Sequence, residues 1–309
     1  MIAALPSIVS RLRLKQLRLL IALDEQGSVH RAAEQVFISQ PGATKSLHEI
    51  ENTFGAELFT RNSQGLVPND LGRCVIRYAR LIHSDVAHLR EEMVGILQGH
   101  GGRLSVGTIM GAVPMLMRAL GRLRRKQPEL SVEIVEDTSA RLLGLVDQGR
   151  LDLAICRSSV SQRPDAYDCL TLHPEQLTVV AHPDHPARVA TLELADLSIY
   201  RWVVYPANMP MRLLLEREFS QCGLEFPRYP VETASTFTML SLLQEDSELV
   251  AVMPLAVAEF SERFGMIRRL PLNLQSRSEP YGVIARHGST LSAAAQLLLE
   301  ELQTEQLSV

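Results

Sequence analysis

The stretch at residues 27–52, GSVHRAAEQVFISQPGATKSLHEIEN, decides how the rest of the chain is read. It holds two helical patterns a few residues apart. Gly27 breaks a preceding helix that carries Leu14, Leu17, Leu20 and Ile21 at helical spacing. Ser28 can cap a second helix, in which Ala32 and Ala33 allow close approach of a neighbour. Ser39 can cap a third, and Pro41 fits its first turn because the N–H groups there have no intrahelical acceptor to lose. Along this third helix Ala43, Leu47, Ile50 and Phe54 form one apolar stripe. Pro41, Lys45, His48 and Asn52 lie opposite, with Gln40 and Thr44 at the edge. A pair this tight has little room for its own core, so the outward face is left for an external partner. Its free N–H groups suit phosphate, and its amide and hydroxyl side chains suit base edges.

Outward from this pair, residues 56–68 (AELFTRNSQGLVP) predict a two-stranded excursion turning at Asn62-Ser63-Gln64-Gly65, with Arg61 beside the turn. From Asn69, a helix cap, the residues Leu71, Val75, Tyr78, Ile82, Val86, Leu89, Met93 and Ile96 recur every three or four positions, up to the glycines at 99, 101 and 102. This is a seam on about 40 Å of helix. It pairs with a copy of itself or lies on its own domain.

After the glycines, strands and helices alternate. The strands are LSVGTI, SVEIVE, LDLAIC, LTVVA, WVV, ELVAV and YGVIA; helices fall near 116–125, 142–146, 211–219, 236–244 and 292–302. Such alternation predicts a largely parallel α/β sheet. Ligands of open α/β sheets sit beyond the carboxyl ends of strands, where helix N-termini expose donors. Three places qualify: Thr108 with Met110 and Gly111, Thr138 with Ser139, and Ser235. Ser139 and Ser235 are also candidate helix caps, a role that uses the same donors.

The 309 residues, 46% hydrophobic, suffice for two domains with normal cores. The longest apolar runs, such as 19–23 and 249–253, fall far short of the ~20 residues of a membrane span. The first ten residues lack a basic flank and an adequate apolar segment for secretion, so the cytoplasm is expected. Net charge is −4. Residues 1–103 nevertheless carry 12 Lys+Arg against 10 Asp+Glu, while residues 104–309 carry 19 against 25. A local basic surface is therefore compatible with the acidic total. The four cysteines show no metal spacing and read as buried or half-buried thiols. No GxSxG, HExxH or P-loop pattern occurs, so no catalytic, metal or cofactor site is expected. His182 and His185, in AHPDHP, read as a loop.

At Gly27-Ser28, Ala32-Ala33, Ser39-Gln40-Pro41, Leu58-Phe59 with Arg61, and Gly72, the chain closely resembles the N-terminal region of LysR-type transcriptional regulators. The rest is similar to that family in order and length. It departs at Gly42, Ala43 and Thr44, where Ala, an aliphatic residue and Ser are common, at Asn69 in place of Thr, and at Gln64 in place of Arg. The resemblance implies a winged helix-turn-helix at 12–68, a linker and dimerisation helix at 69–99, and an α/β domain like a periplasmic binding protein at 104–309. Its two subdomains would be 104–173 with 279–309, and 174–278, joined by crossovers near 174 and 278. The resemblance also implies a fourth ligand place, Tyr205 with Asn208, which follows the strand at Trp202. It implies base contacts from Gln40, Pro41, Thr44 and His48. Ser39 would cap and bind phosphate, and Arg31, Lys45 and Arg61 would meet phosphate. The implied partners are promoter DNA, a small effector, a dimer and tetramer of the chain, and RNA polymerase; the hydroxyl-rich lining of the candidate ligand places suggests an organic acid, an aromatic acid or a sugar derivative as that effector.

Overall fold

In the computed structural model, which describes residues 2–62, 65–98, 102–188 and 190–306, the chain forms two compact units. One is built on the N-terminal 103 residues with Gly144–Leu151, the other on Leu104–Leu143 and Asp152–Val309.

The first unit is a small helical core with a hairpin. It contains α1 (Leu5–Arg11), α2 (Leu14–Gln26), α3 (Val29–Gln35), α4 (Gln40–Phe54), β1 (Phe59–Asn62), β2 (Gly65–Pro68) and α5 (Asp70–Gln98). The predicted punctuation is physically realised. Gly27 takes the left-handed conformation at φ 60°, and its N–H closes α2 on Leu23 O. Ser39 Oγ accepts from Gly42 N at 3.3 Å. Asn69 Oδ1 accepts from Gly72 N at 2.9 Å while its amide donates to Glu57 O at 2.8 Å, tying the start of α5 to the hairpin's approach. Ser28 stands at the N-cap of α3, but its side chain makes no capping bond. On α4 the buried stripe is Ala43, Leu47, Ile50 and Thr53, with Phe54 only half-buried. Thr53 can sit there because its hydroxyl donates to Glu49 O at 2.7 Å, so no polar atom is left unmet.

Helix α5 uses two faces. Ile76 and Ala79 bury against α2 and its neighbours, while Leu71, Tyr78, Ile82, Val86, Leu89 and Met93 are exposed. The seam thus lies partly on its own domain and leaves a second apolar face uncovered. The Ile96 side chain and the wing residues Ser63 and Gln64 lie outside the described residues. Helix α1 was not expected from the sequence.

The second unit contains two five-stranded sheets. Its elements are β3 (Arg103–Thr108), α6 (Val113–Lys126), β4 (Ser131–Glu136), α7 (Ser139–Asp147, of which Gly144–Asp147 count with the first unit), β5 (Leu153–Cys156), β6 (Tyr167–Pro174), β7 (Leu177–Ala181), β8 (Arg201–Val204), α8 (Pro210–Gln221), β9 (Val231–Glu232), α9 (Thr236–Glu245), β10 (Leu249–Pro254), α10 (Leu255–Arg263), β11 (Arg268–Arg269), β12 (Pro280–Arg286) and α11 (Ala293–Gln306). One sheet has the order β4-β3-β5-β12-β6, the other β11-β7-β10-β8-β9. The chain leaves the first sheet at Pro174 and rejoins it at Pro280, and these two residues face each other in the β6–β12 register.

The sheets are mixed, which corrects the expectation of a largely parallel arrangement. β3 and β5 run parallel, as do β10 with β8 and β8 with β9. β12 is antiparallel to both its neighbours, and β7 is antiparallel to β10 and β11. The right-handed βαβ rule constrains successive strands within one sheet. β12 arrives from the other lobe and β7 is the first strand after the departure, so neither is held to it.

Candidate functional site

The exposed side of α4 collects most of the residues marked for nucleic acid. Gln40, Pro41, Lys45 and His48 are exposed and Thr44 is half-buried; Arg31 is exposed on α3. His48 lies 3.7 Å from Glu51, a mostly buried carboxylate that also accepts Leu58 N at 2.8 Å. The hairpin is pinned to the helices through glycine. Leu66 N donates to Gly27 O at 2.9 Å, and a Cβ on Gly65, whose φ is 114°, would fall 2.6 Å from that same oxygen. Arg61 on β1 is thereby held close to the N-terminus of α4. Gln40 and Arg61 line one hollow of about 390 Å³ with Ser28, His30 and Asn62. His30 was not marked from the sequence, because one imidazole two residues after a cap gives no pattern.

The second unit has a cleft of about 430 Å³ between its lobes, lined by Gly111, Met115 and Arg118 on one side and by Glu175, Pro254 and Ala256 on the other. The Met110 side chain, in the turn after β3, reaches into the core of the second lobe. Its sulfur accepts from Tyr205 Oη at 3.6 Å and from the Thr236 hydroxyl. Gly111 follows, and a Cβ there would overlap the Glu175 carboxylate. Glu175 is buried and ion-paired with Arg157 at 2.7 Å. Arg157 also donates to Ser278 Oγ and Glu279 O, both at 3.1 Å, so one guanidinium binds both crossovers. Neither Arg157 nor Glu175 was marked from the sequence, since their separation of 18 residues and the 121 to Ser278 follow no local period.

Of the eight residues marked in this unit, the fold brings Met110, Gly111 and Tyr205 together. Thr108 is buried with its hydroxyl on Ile109 O. Ser139 does not cap α7: Thr138 occupies that position, its carbonyl accepting Leu142 N, and Ser139 Oγ accepts Arg157 N at 3.2 Å. Thr138 and Asn208 are exposed, and Ser235 caps α9 by accepting Thr238 N at 3.2 Å.

Around Tyr205 the nearby charges are acidic. Burial pushes the Tyr205 phenol well above its ordinary value, and the Glu175 and Glu136 carboxylates push it further, so it remains a protonated donor. Burial also raises Glu136. The two arginines touching these groups are committed, Arg157 to Glu175 and Arg212 to Glu216, Glu232 and the Tyr205 carbonyl. Such a lining offers hydrogen bonds for reversible binding.

Elsewhere, His185 is buried, packs against Tyr200 with ring centroids 4.5 Å apart, and accepts Ala187 N on Nδ1. His182 Nδ1 accepts Asp184 N, so each imidazole serves its turn. Among the described residues no three His, Cys, Asp or Glu side chains gather as a metal set, and no helix is long and apolar enough to cross a membrane. Of the cysteines only Cys156 is buried; Cys74, Cys169 and Cys222 are exposed, contrary to expectation, because their positions face outward on α5, on the edge strand β6 and at the end of α8.

Residues 14–73 match the model of the bacterial regulatory helix-turn-helix proteins of the lysR family, and residues 97–306 match the LysR substrate binding domain. The chain belongs to the LysR family. It is a transcriptional regulator with an effector-binding domain, and not an enzyme. It is 33% identical over 297 residues to the transcriptional regulator GbpR of Azospirillum brasilense, covering 95% of this chain and 86% of that protein. The crystal structure of full-length CbnR complexed with its target DNA has a TM-score of 0.64 at 19% identity, covering 95% of this chain and all of that one. The effector-binding domain of QuiR in complex with shikimate has a TM-score of 0.53 at 17% identity, covering 68% of this chain and 98% of that one. At these identities the two structures establish the fold of this LysR regulator.

Proposed function

We propose that this regulator reads a two-fold symmetric promoter site by placing α4 in the major groove. The observation that supports this is the hollow lined by both Gln40 and Arg61, from which an amide can reach a base edge while a guanidinium meets phosphate. Gln40, Pro41, Thr44 and His48 then meet base edges. Ser39 caps α4 and offers phosphate its hydroxyl, while Arg31, Lys45 and Arg61 neutralise phosphates. The uncovered face of α5 pairs two copies, and contacts between α/β domains pair the dimers into a tetramer. The protein works in the cytoplasm and acts on transcription through RNA polymerase.

The effector occupies the cleft of residues 104–309, between lobes at 104–173 with 279–309 and at 174–278. Met110, Gly111, Tyr205, Thr236 and the turns at Thr138, Asn208 and Ser235 surround it. With Glu136 and Glu175 beside Tyr205 and the adjoining arginines paired, this cleft favours a neutral, hydroxyl-bearing metabolite such as a sugar derivative over an organic or aromatic acid. The ligand competes with the two bonds to the Met110 sulfur that span the lobes, and so acts by differential affinity for two lobe arrangements.

Genomic fragments selected by the purified protein, titrated against salt, test the DNA reading. A symmetric site with a steep salt slope is expected; binding without sequence preference, or none at low salt, refutes it. Thermal shifts against panels of neutral polyols and of carboxylates test the effector class. Stabilisation by carboxylates alone refutes that assignment.

A further inference from the structure

The N-terminal segment before residue 14 lies outside the helix-turn-helix family match, yet it folds into α1. This helix is physically incomplete. It has seven residues, none of them buried, and among the described residues the backbone bond that ties its approach to the rest of the unit is Ala3 N to Phe54 O at 3.1 Å. Isolated helices shorter than about 12 residues are marginal in water. Its apolar side chains follow the helical repeat: Ile8 and Leu12 are half-buried inward, while Leu5 and Val9 are 71% and 70% exposed.

Between α1 and the first three turns of α5 runs a groove of about 470 Å³. It is walled by Ile2, Leu5 and Ile8 on one side and by Leu71, Tyr78 and Ile82 on the other. Tyr78 and Ile82 also belong to the uncovered apolar face that continues along α5 through Val86, Leu89 and Met93. Groove and ridge are therefore one continuous surface on one chain. A two-fold interface needs such a self-complementary patch, since each copy must supply both shapes.

We propose that α1 is a clamp for the second copy of this chain, with the α5 ridge of one protomer seated in the α1–α5 groove of the other. The inference rests on the α5 pairing proposed above and adds to it a segment outside the family's helix-turn-helix match. Docking completes α1 by burying Leu5 on the groove wall and Val9, which lies one turn on along the same exposed face, and each contact counts twice in the dimer. The clamp thereby sets the protein concentration at which both recognition helices can bind together.

The test compares three full-length proteins: the wild type, the double variant Leu5→Gln/Val9→Gln, and Ile82→Glu. Glutamine is a good helix former, so the double variant removes apolar surface without breaking α1. Mass is followed by sedimentation across dilution, and maleimide labelling of Cys74, which lines the groove, reports its cover. In the expected result, the concentration at which the wild-type assembly splits in half rises at least tenfold in the double variant, and Cys74 labelling accelerates. Ile82→Glu splits the assembly as well. If Ile82→Glu splits it while the double variant behaves as wild type in both readouts, the seam stands and the clamp is overturned. A wild-type chain that is monomeric at all concentrations overturns both.

Discussion

Replacing Gly111 by alanine tests how rigidly the floor of the cleft is built. An added Cβ would overlap the nearer Glu175 carboxylate oxygen, lie 2.8 Å from its Cδ and approach Pro254 Cβ to 3.3 Å. A flexible carboxylate on a surface would swing aside at little cost. This one is buried, paired with Arg157 at 2.7 Å, and its main chain accepts Ser278 Oγ at 3.1 Å. Moving it away breaks a buried pair, which costs about 3–5 kcal/mol, whereas shifting the Met110–Ala112 turn instead costs about 1–3 kcal/mol as overpacking. The reduced freedom of the unfolded chain returns about 0.4–1 kcal/mol. A net loss of about 1–2 kcal/mol is expected, because the cheaper route sets the cost. For a unit of this size that lowers Tm by roughly 2–8 °C. Thermal and urea unfolding, followed by circular dichroism and by Trp202 fluorescence, measure it. The steric cause is isolated by a cycle: on a Glu175→Ala background, itself destabilised by a stranded Arg157, Gly111→Ala should cost less than about 1 kcal/mol. An unchanged Tm, or the same penalty on both backgrounds, refutes the reasoning.

Further outcomes are expected. Thr44→Ala should lower affinity for the selected site by about 5- to 100-fold and leave random DNA unaffected, while Arg61→Ala should weaken both and reduce the salt slope by about one; fluorescence anisotropy on both DNAs decides. Asn69→Ala removes the first-turn cap of α5 and the amide bond to Glu57 O, so amides of that turn should exchange about fivefold faster, a loss of about 1 kcal/mol. The Cys156 thiol, pushed up to about 12 mainly by burial, should resist thiol reagents at pH 8 until the domain unfolds. His287, raised by its bond and charge contact with Asp168, should titrate above the ordinary histidine value in NMR, and Asp168→Asn should return it. The pair contributes only while His287 is protonated and Asp168, whose own pKa is lowered, is ionised. Its contribution fades as pH rises through the raised histidine value or falls through the lowered aspartate value.

The parts legible in the sequence were those fixed by local chemistry. Gly27, Ser39, Pro41 and Asn69 each stop or start a helix through one backbone constraint, so the order α2–α3–α4, the hairpin and α5 could be read directly. Elements whose cause is distant were lost. In LVAVMPLAVAEF, β10 passes into α10 with no intervening turn residue except Pro254, and the run reads as one apolar segment. β6 is an edge strand with Asp168, Cys169 and Thr171 exposed, so its alternation is weak. α1 follows a helical period but is too short to announce itself. At the cleft, strand ends predicted Met110, Gly111 and Tyr205. Arg157 and Glu175 carry no signature, because only the return of the chain brings Ser278 and Glu279 beside them.

That return also dictates an order of assembly. β12 lies between β5 and β6 in the first sheet, yet it is made more than a hundred residues after both. As the polypeptide leaves the ribosome, β5 and β6 have no partner between them until residues 280–286 emerge. The second lobe, contiguous from β7 to β11, can close earlier. A nascent chain halted shortly before residue 280 should therefore carry a finished lobe on an unfinished one, with two hydrophobic strand edges open to chaperones or to another chain.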